Sequence, residues 1–186
     1  MAARDKRRRI LTIPNLLSAF RLLLIPVIAW LYCEEENYPL TAGALVLSGA
    51  TDVVDGFVAR RFDMVSDLGK VLDPVADKLT QAVALGCLLL RFYHPRWLLG
   101  VLVVKEIIMA VMGILVIRRT GAVHSAAWHG KLATCILYAV IFTHIVWYDM
   151  PASVSGLLTA AGTAGALLSL TLYTIQNIGR LRGAEG

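Results

Sequence analysis

Six apolar runs dominate this chain, at approximately 13 to 32, 39 to 61, 68 to 90, 97 to 117, 130 to 148 and 153 to 176. Each holds about the 20 residues that a helix rising 1.5 Å per residue needs to cross a bilayer. Inside lipid the backbone must satisfy its own polar groups, so runs of this kind fold as helices. The expected fold is therefore all-α and integral to the membrane, with six transmembrane helices. The breaks between runs, "CEEENYP", "RRFDMVSD", "RFYHPR", "RRTGAVHSAAWHGK" and "YDMP", carry charge and turn-forming residues. The 186 residues then make one membrane domain: a basic N-terminal segment at 1–12, a six-span bundle at 13–176 and a cytoplasmic tail at 177–186.

Composition agrees, with 58% hydrophobic residues, 17% charged residues and a mean hydropathy of +0.68. The net charge of +5 sits in short clusters between apolar runs, so it speaks to topology and not to nucleic acid. With the N-terminus inside, the inner ends hold Arg4, Lys6, Arg7, Arg8, Arg9, Arg60, Arg61, Arg118, Arg119, Lys131, Arg180 and Arg182, against Arg91 and Arg96 outside. That bias predicts two cytoplasmic termini. Tyr38, Trp97, Trp147 and Tyr148 then fall near the outer interface, where amphipathic rings prefer to sit.

The start of the chain resembles a secretory signal, but no A-x-A cleavage site follows, so the first run is read as a retained span. Cys33, Cys87 and Cys135 lack CxxC spacing and read as small apolar groups. His94, His124, His129 and His144 are scattered without acidic or thiol partners, so no zinc site is expected from them. In the last run Gly156, Ala160, Gly162, Ala164 and Gly165 form a small-residue face that allows close helix packing within or between subunits.

The stretch TDVVDGFVARRFDMVSDLGKVLDPVADK, from Thr51 to Lys78, breaks the apolar pattern with four regularly spaced aspartates. Asp52 and Asp55 are three residues apart and Asp73 and Asp77 four apart, so each pair lies on one helix face. The short connection between the two helices is expected to bring the pairs together. Carboxylates gathered in an apolar setting repel unless cations neutralise them, and their oxygens suit hard divalent ions such as Mg²⁺ or Mn²⁺, two of which they can bridge. Such a site suits phosphoryl chemistry on a diphosphate. Gly56 and Ala59 leave room for a ligand, and the Arg60 guanidinium suits phosphate oxygens. Gly69 keeps the second helix thin, and Pro74 removes a backbone donor beside Asp73. On these residues alone, an enzyme, the ion site of a cation-coupled transporter, and a structural acid cluster paired with Arg60 or Lys78 all stay open.

The spacing Asp52-x2-Asp55-Gly56-x2-Ala59-Arg60-x8-Gly69-x3-Asp73-x3-Asp77 resembles, without gaps, the signature of the CDP-alcohol phosphotransferases. The resemblance covers eight fixed positions, and the six-run layout is similar to that family over essentially the whole chain. It implies transfer of a phosphatidyl group from CDP-diacylglycerol to an acceptor hydroxyl, with release of CMP. By position it implies Asp52, Asp55, Asp73 and Asp77 as ligands of two divalent ions, with Asp77 also the general base. Asp52, Asp55, Gly56, Ala59, Arg60 and Gly69 would hold the CDP-diacylglycerol. A homodimer among membrane lipids is implied too, in a bacterial cytoplasmic membrane with the active site facing the cytoplasm. The transporter reading predicts ion flux without CMP release and leaves the glycines and Arg60 unexplained.

For the acceptor, "TIPNLLSAFRLLLIPV" and "LDPVADK" look like bacterial phosphatidylglycerophosphate synthases, and also like the cardiolipin synthases of the same fold. Glycerol 3-phosphate is the expected acceptor and phosphatidylglycerol the alternative. The synthases' fourth-span "AREF...GLR"-like stretch is replaced here by "VVKEIIMAVMGILVIRR". Lys105 and Glu106 stand for the first pair, and Gly113 stands where a second arginine is expected. Lys131 of "WHGKLAT" matches the synthases' "GK" segment. The candidate acceptor contacts are Lys131, Lys105, Arg118 and Arg119, with Glu106 expected to point away from Lys105. Asn15 and Arg21 match the family's first span, as contacts to nucleotide or acidic lipid, or with Arg21 pairing a carboxylate.

Overall fold

The computed structural model describes residues 12–62, 69–120 and 128–183. The basic segment from Arg4 to Arg9, the 63–68 connection, the 121–127 loop with His124, and residues 184–186 lie outside the described residues. So do the side chains of Ala59, Arg60, His129, Arg180 and Arg182. The described residues form helices α1 (Ile13–Cys33), α2 (Tyr38–Arg61), α3 (Gly69–Leu88), α4 (Pro95–Thr120), α5 (Trp128–Val146) and α6 (Ala152–Gly183), with no strand among them.

Helix starts follow local chemistry. The Thr12 hydroxyl accepts the Asn15 amide at 3.4 Å, and Pro14 in the first turn has no N–H to leave unpaired. Asn37 caps α2 in the same way, accepting from the Leu40 amide at 3.2 Å. Just before it, Glu36 takes a left-handed φ of 49° and turns the chain from α1 into α2.

Among the described residues, four helices, α1, α2, α4 and α6, are long and apolar enough to cross a membrane. Of the other two, α3 carries Lys70, Asp73, Asp77 and Lys78 within its 20 residues, and α5 is apolar over Gly130–Val146. α6 continues to Gly183, well past the expected end at 176, with Asn177 buried in the added stretch.

The chain divides into two compact units, Met1–Leu90 and Arg91–Gly186. In the first, α1 is the central helix and packs against both α2 and α3. Ser18 meets Asp73 and Cys33 lies close to Cys87, so α1 and α3 run parallel. Tyr32 meets Tyr38 edge-on at 5.4 Å while Arg21 reaches Asp52 and Asp55, so α1 and α2 run antiparallel. Tyr38 is thus buried in this hairpin, whereas Trp97, Trp147 and Tyr148 are exposed.

In the second unit α6 is central and packs against α4 and α5. Lipid is as apolar as leucine, so such helices associate through close packing and polar contacts instead of hydrophobic burial. Gly162 supplies the close packing: a Cβ there would meet Leu98 Cδ2 at 3.2 Å and Val140 Cγ2 at 3.4 Å. Polar contact comes from His144, fully buried, whose Nδ1 is 2.8 Å from the Val140 carbonyl and Nε2 3.0 Å from Ser155 Oγ. A carbonyl only accepts, so Nδ1 carries the proton and Ser155 donates to Nε2. His144 is therefore a packing histidine, as its sequence surroundings suggest.

Candidate active site

The buried face of α1 reads Asn15, Ser18, Arg21, Leu24, Ile28 and Tyr32, at steps of three and four. This is one helical stripe, polar in its first half and apolar in its second. The polar half carries the site. Arg21, only 2% exposed, places Nη1 2.6 Å from Asp52 Oδ1 and Nη2 2.5 Å from Asp55 Oδ2. One turn earlier, the fully buried Ser18 donates to Asp73 Oδ1, with the Pro14 carbonyl also 2.9 Å from its hydroxyl.

Asp52 and Asp55 of α2 and Asp73 of α3 are therefore held by residues of α1. Among the described residues, α2 and α3 share no contact comparable to what each makes with α1. Asp52 and Asp73 both lie within electrostatic reach of Asp55. Asp55 is buried, Asp73 and Asp77 are half-buried, and the Asp52 side chain is 51% exposed, so the cluster opens on the Asp52 side. The Gln81 amide donates to Asp77 Oδ2 at 3.0 Å from the next turn of α3. Pro74 lacks the N–H that the Lys70 carbonyl would use, one residue after Asp73. Gly56 is half-buried on α2 and Gly69 is buried at the start of α3.

Whether the residues fit divalent cations turns on donor chemistry and charge. The donors are hard carboxylate oxygens gathered at one end of α1, which suits Mg²⁺ or Mn²⁺. Among the described residues, no three His, Cys, Asp or Glu side chains are already gathered as ligands of one ion. Arg21 holds two of the aspartates instead. The residues fit such ions by type and neighbourhood, with a guanidinium occupying the position where positive charge is needed.

The residues expected to hold the acceptor belong to the second unit. Lys105 is buried on α4, and its Nζ lies 3.0 Å from Glu106 Oε1, so Glu106 does not point away from it. Adjacent helical residues diverge by about 100°, but these long stems curl back to meet. Arg118 and Arg119 are exposed in the last turn of α4. Thirteen residues separate Lys105 from Arg118, about 20 Å along the helix axis. The structure thus spreads these cations along α4. Lys131 is exposed in the first turn of α5. Gly113 faces Tyr173 of α6, whose hydroxyl would lie 3.4 Å from a Cβ there.

Sequence reasoning missed Ser18, which has no charge to draw attention within an apolar run. Its signal was positional, since it stands three residues from both Asn15 and Arg21 on one face.

The family model for CDP-alcohol phosphatidyltransferase matches residues 11–174. A cardiolipin synthase (CMP-forming) of Streptomyces coelicolor is 37% identical over 172 residues, 89% of this chain and 79% of that protein. A CDP-diacylglycerol–glycerol-3-phosphate 3-phosphatidyltransferase of Bacillus subtilis is 36% identical over 137 residues, 66% of this chain and 70% of its own. The Escherichia coli protein of that same name is 35% identical over 105 residues, 54% of this chain and 57% of its own. With its aspartates gathered around α1 and most of its length matched in this way, the chain belongs to the CDP-alcohol phosphatidyltransferase family of membrane transferases.

Proposed function

We propose that the chain transfers a phosphatidyl group from CDP-diacylglycerol to glycerol 3-phosphate, forming phosphatidylglycerophosphate and releasing CMP. The observation that carries this reading is the convergence of Asp52, Asp55 and Asp73 on Ser18 and Arg21 in a chain of this family. Relatives named for the glycerol 3-phosphate reaction from B. subtilis and E. coli support the choice of acceptor.

In this reading Asp52, Asp55, Asp73 and Asp77 would hold two divalent ions, Mg²⁺ or Mn²⁺, which when bound would neutralise the diphosphate and the departing CMP. Gly56, Ala59, Arg60 and Gly69 would border the cytidine diphosphate. Asp77 takes the proton of the acceptor hydroxyl as its oxygen bonds to the lipid-side phosphorus and the bond from that phosphorus to CMP breaks. The Gln81 amide on Asp77 Oδ2 fixes the plane of the carboxylate for that transfer. The acceptor phosphate would be met by Lys131, with Lys105, Arg118 and Arg119 as further cations at other levels of α4.

One observation favours a second acceptor: the relative aligned over 89% of this chain is a cardiolipin synthase. Glycine also stands at position 113, with the Tyr173 hydroxyl against it, where resemblance to the glycerol 3-phosphate enzymes leads one to expect a second arginine. Cardiolipin synthesis would use phosphatidylglycerol. Purified protein supplied with CDP-diacylglycerol and each acceptor in turn separates the readings. CMP release with phosphatidylglycerol and none with glycerol 3-phosphate would make cardiolipin synthesis the activity.

We also read the fold as six spans with both termini cytoplasmic, the active site facing the cytoplasm of a bacterial membrane, and a homodimer as the assembled form. The excess of Lys and Arg at the inner ends of the spans supports the orientation.

A further inference from the structure

We infer that Arg21 is a built-in counter-cation of the acidic motif: it holds Asp52 and Asp55 while no divalent ion is bound, and its charge competes with such ions for the same oxygens. This rests on the reading that the motif takes divalent cations.

Three carboxylates within reach of one another in an apolar helix bundle would drive α2 and α3 apart unless positive charge lies between them. The guanidinium provides it in a form suited to the task. It is 2% exposed, its two terminal nitrogens divide between Asp52 and Asp55 at 2.6 and 2.5 Å, and its delocalised charge tolerates burial better than an ammonium. Ser18 acts on the third carboxylate without bringing charge. The same α1 stripe therefore assembles the motif by two different means.

The pairing is also incomplete. Arg21 Nε and Nη1 are buried without a hydrogen-bond partner among the described residues, so Nη1 holds Asp52 through charge alone. Asp52 is half-exposed, which leaves its carboxylate accessible to an incoming ion. A guanidinium paired with a buried Asp55 and a half-exposed Asp52 leaves the Asp52 oxygens open to a stronger cation. A doubly charged ion would meet repulsion from Arg21 at short range, where charge interactions are least screened.

A scaffold residue and a competitor differ in one readout. Removing a scaffold weakens ion binding or leaves it unchanged; removing a competitor strengthens it. The test uses the full chain in detergent micelles with Mn²⁺ as the probe, the free ion being counted by electron paramagnetic resonance. Arg21→Gln is expected to bind Mn²⁺ about tenfold more tightly than wild type, as loss of one nearby positive charge predicts. Its unfolding temperature in chelator should lie below wild type and rise further on adding Mn²⁺. Arg21→Lys should fall between the two, because a point charge cannot bridge both carboxylates. Equal or weaker Mn²⁺ binding by Arg21→Gln overturns the inference. If that variant does not fold, Arg21→Lys decides in the same way, tighter binding supporting the inference and equal or weaker binding ending it. A wild-type protein that binds no Mn²⁺ instead refutes the metal reading, and this inference falls with it.

Discussion

Ser18 of α1 donates its hydroxyl to Asp73 of α3 across 55 positions of the chain, from a helix that α2 separates from α3 in sequence. With Arg21 one turn later on the same face, this contact makes α1 the element that gathers the acidic motif. The motif's own helices supply the carboxylates but not their arrangement.

Ser18→Ala therefore removes the neutral half of that arrangement while leaving the charge intact. A buried bond to a charged acceptor is worth about 1.5 kcal/mol, so kcat/KM for CMP release should fall about tenfold with the protein still folded. Unfolding curves alongside initial rates check both parts. Unchanged rates would mean that Asp73 is placed by α3 alone.

Asp77→Asn should abolish turnover, by a factor of about 10² to 10⁴, while CDP-diacylglycerol still raises the unfolding temperature. The amide keeps the size and the Gln81 neighbour but does not take a proton. Turnover near wild type would remove Asp77 from the role of base.

Gly162→Ala in the second unit and Gly43→Ala in the first should have opposite signs. A methyl at 162 meets Leu98 and Val140 at 3.2 and 3.4 Å, and forcing them apart costs about 1 to 2 kcal/mol. A methyl at 43 meets nothing within 4 Å within α2, and alanine there should stabilise by about 0.5 to 1 kcal/mol. Unfolding temperatures in detergent test the contrast, and a shift of the same sign for both would contradict the packing at Gly162.

Lys131→Ala should raise the apparent KM for a phosphate-bearing acceptor about tenfold and leave that for CDP-diacylglycerol nearly unchanged, since a lost charge-assisted contact is worth about 1.5 kcal/mol. Equal effects on both substrates would place Lys131 elsewhere in the reaction.

The helices were legible because their causes are local. The first was expected at 13 to 32 and runs from Ile13 to Cys33, framed by Thr12 and Pro14 at one end and an acidic turn at the other. Partnership between helices was less legible, since spacing tells which residues share a face and not what that face meets. Spacing puts each aspartate pair on one helix face, and the structure adds Arg21 and Ser18 of α1 as the groups that Asp52, Asp55 and Asp73 meet. Arg21 stood open between nucleotide, lipid and carboxylate, and only the fold assigns it to Asp52 and Asp55. Lys105 shows the same limit at shorter range, because helical angle separates it from Glu106 while flexible side chains bring the charges to 3.0 Å.

The proposed reaction is tested most directly by CMP release from the purified full chain supplied with CDP-diacylglycerol and glycerol 3-phosphate, with Mg²⁺ or Mn²⁺ present and then removed by chelator. CMP and phosphatidylglycerophosphate are expected in equal amounts, both lost with the metal and restored by its return. Folded protein that releases no CMP with glycerol 3-phosphate under any of these conditions would contradict it.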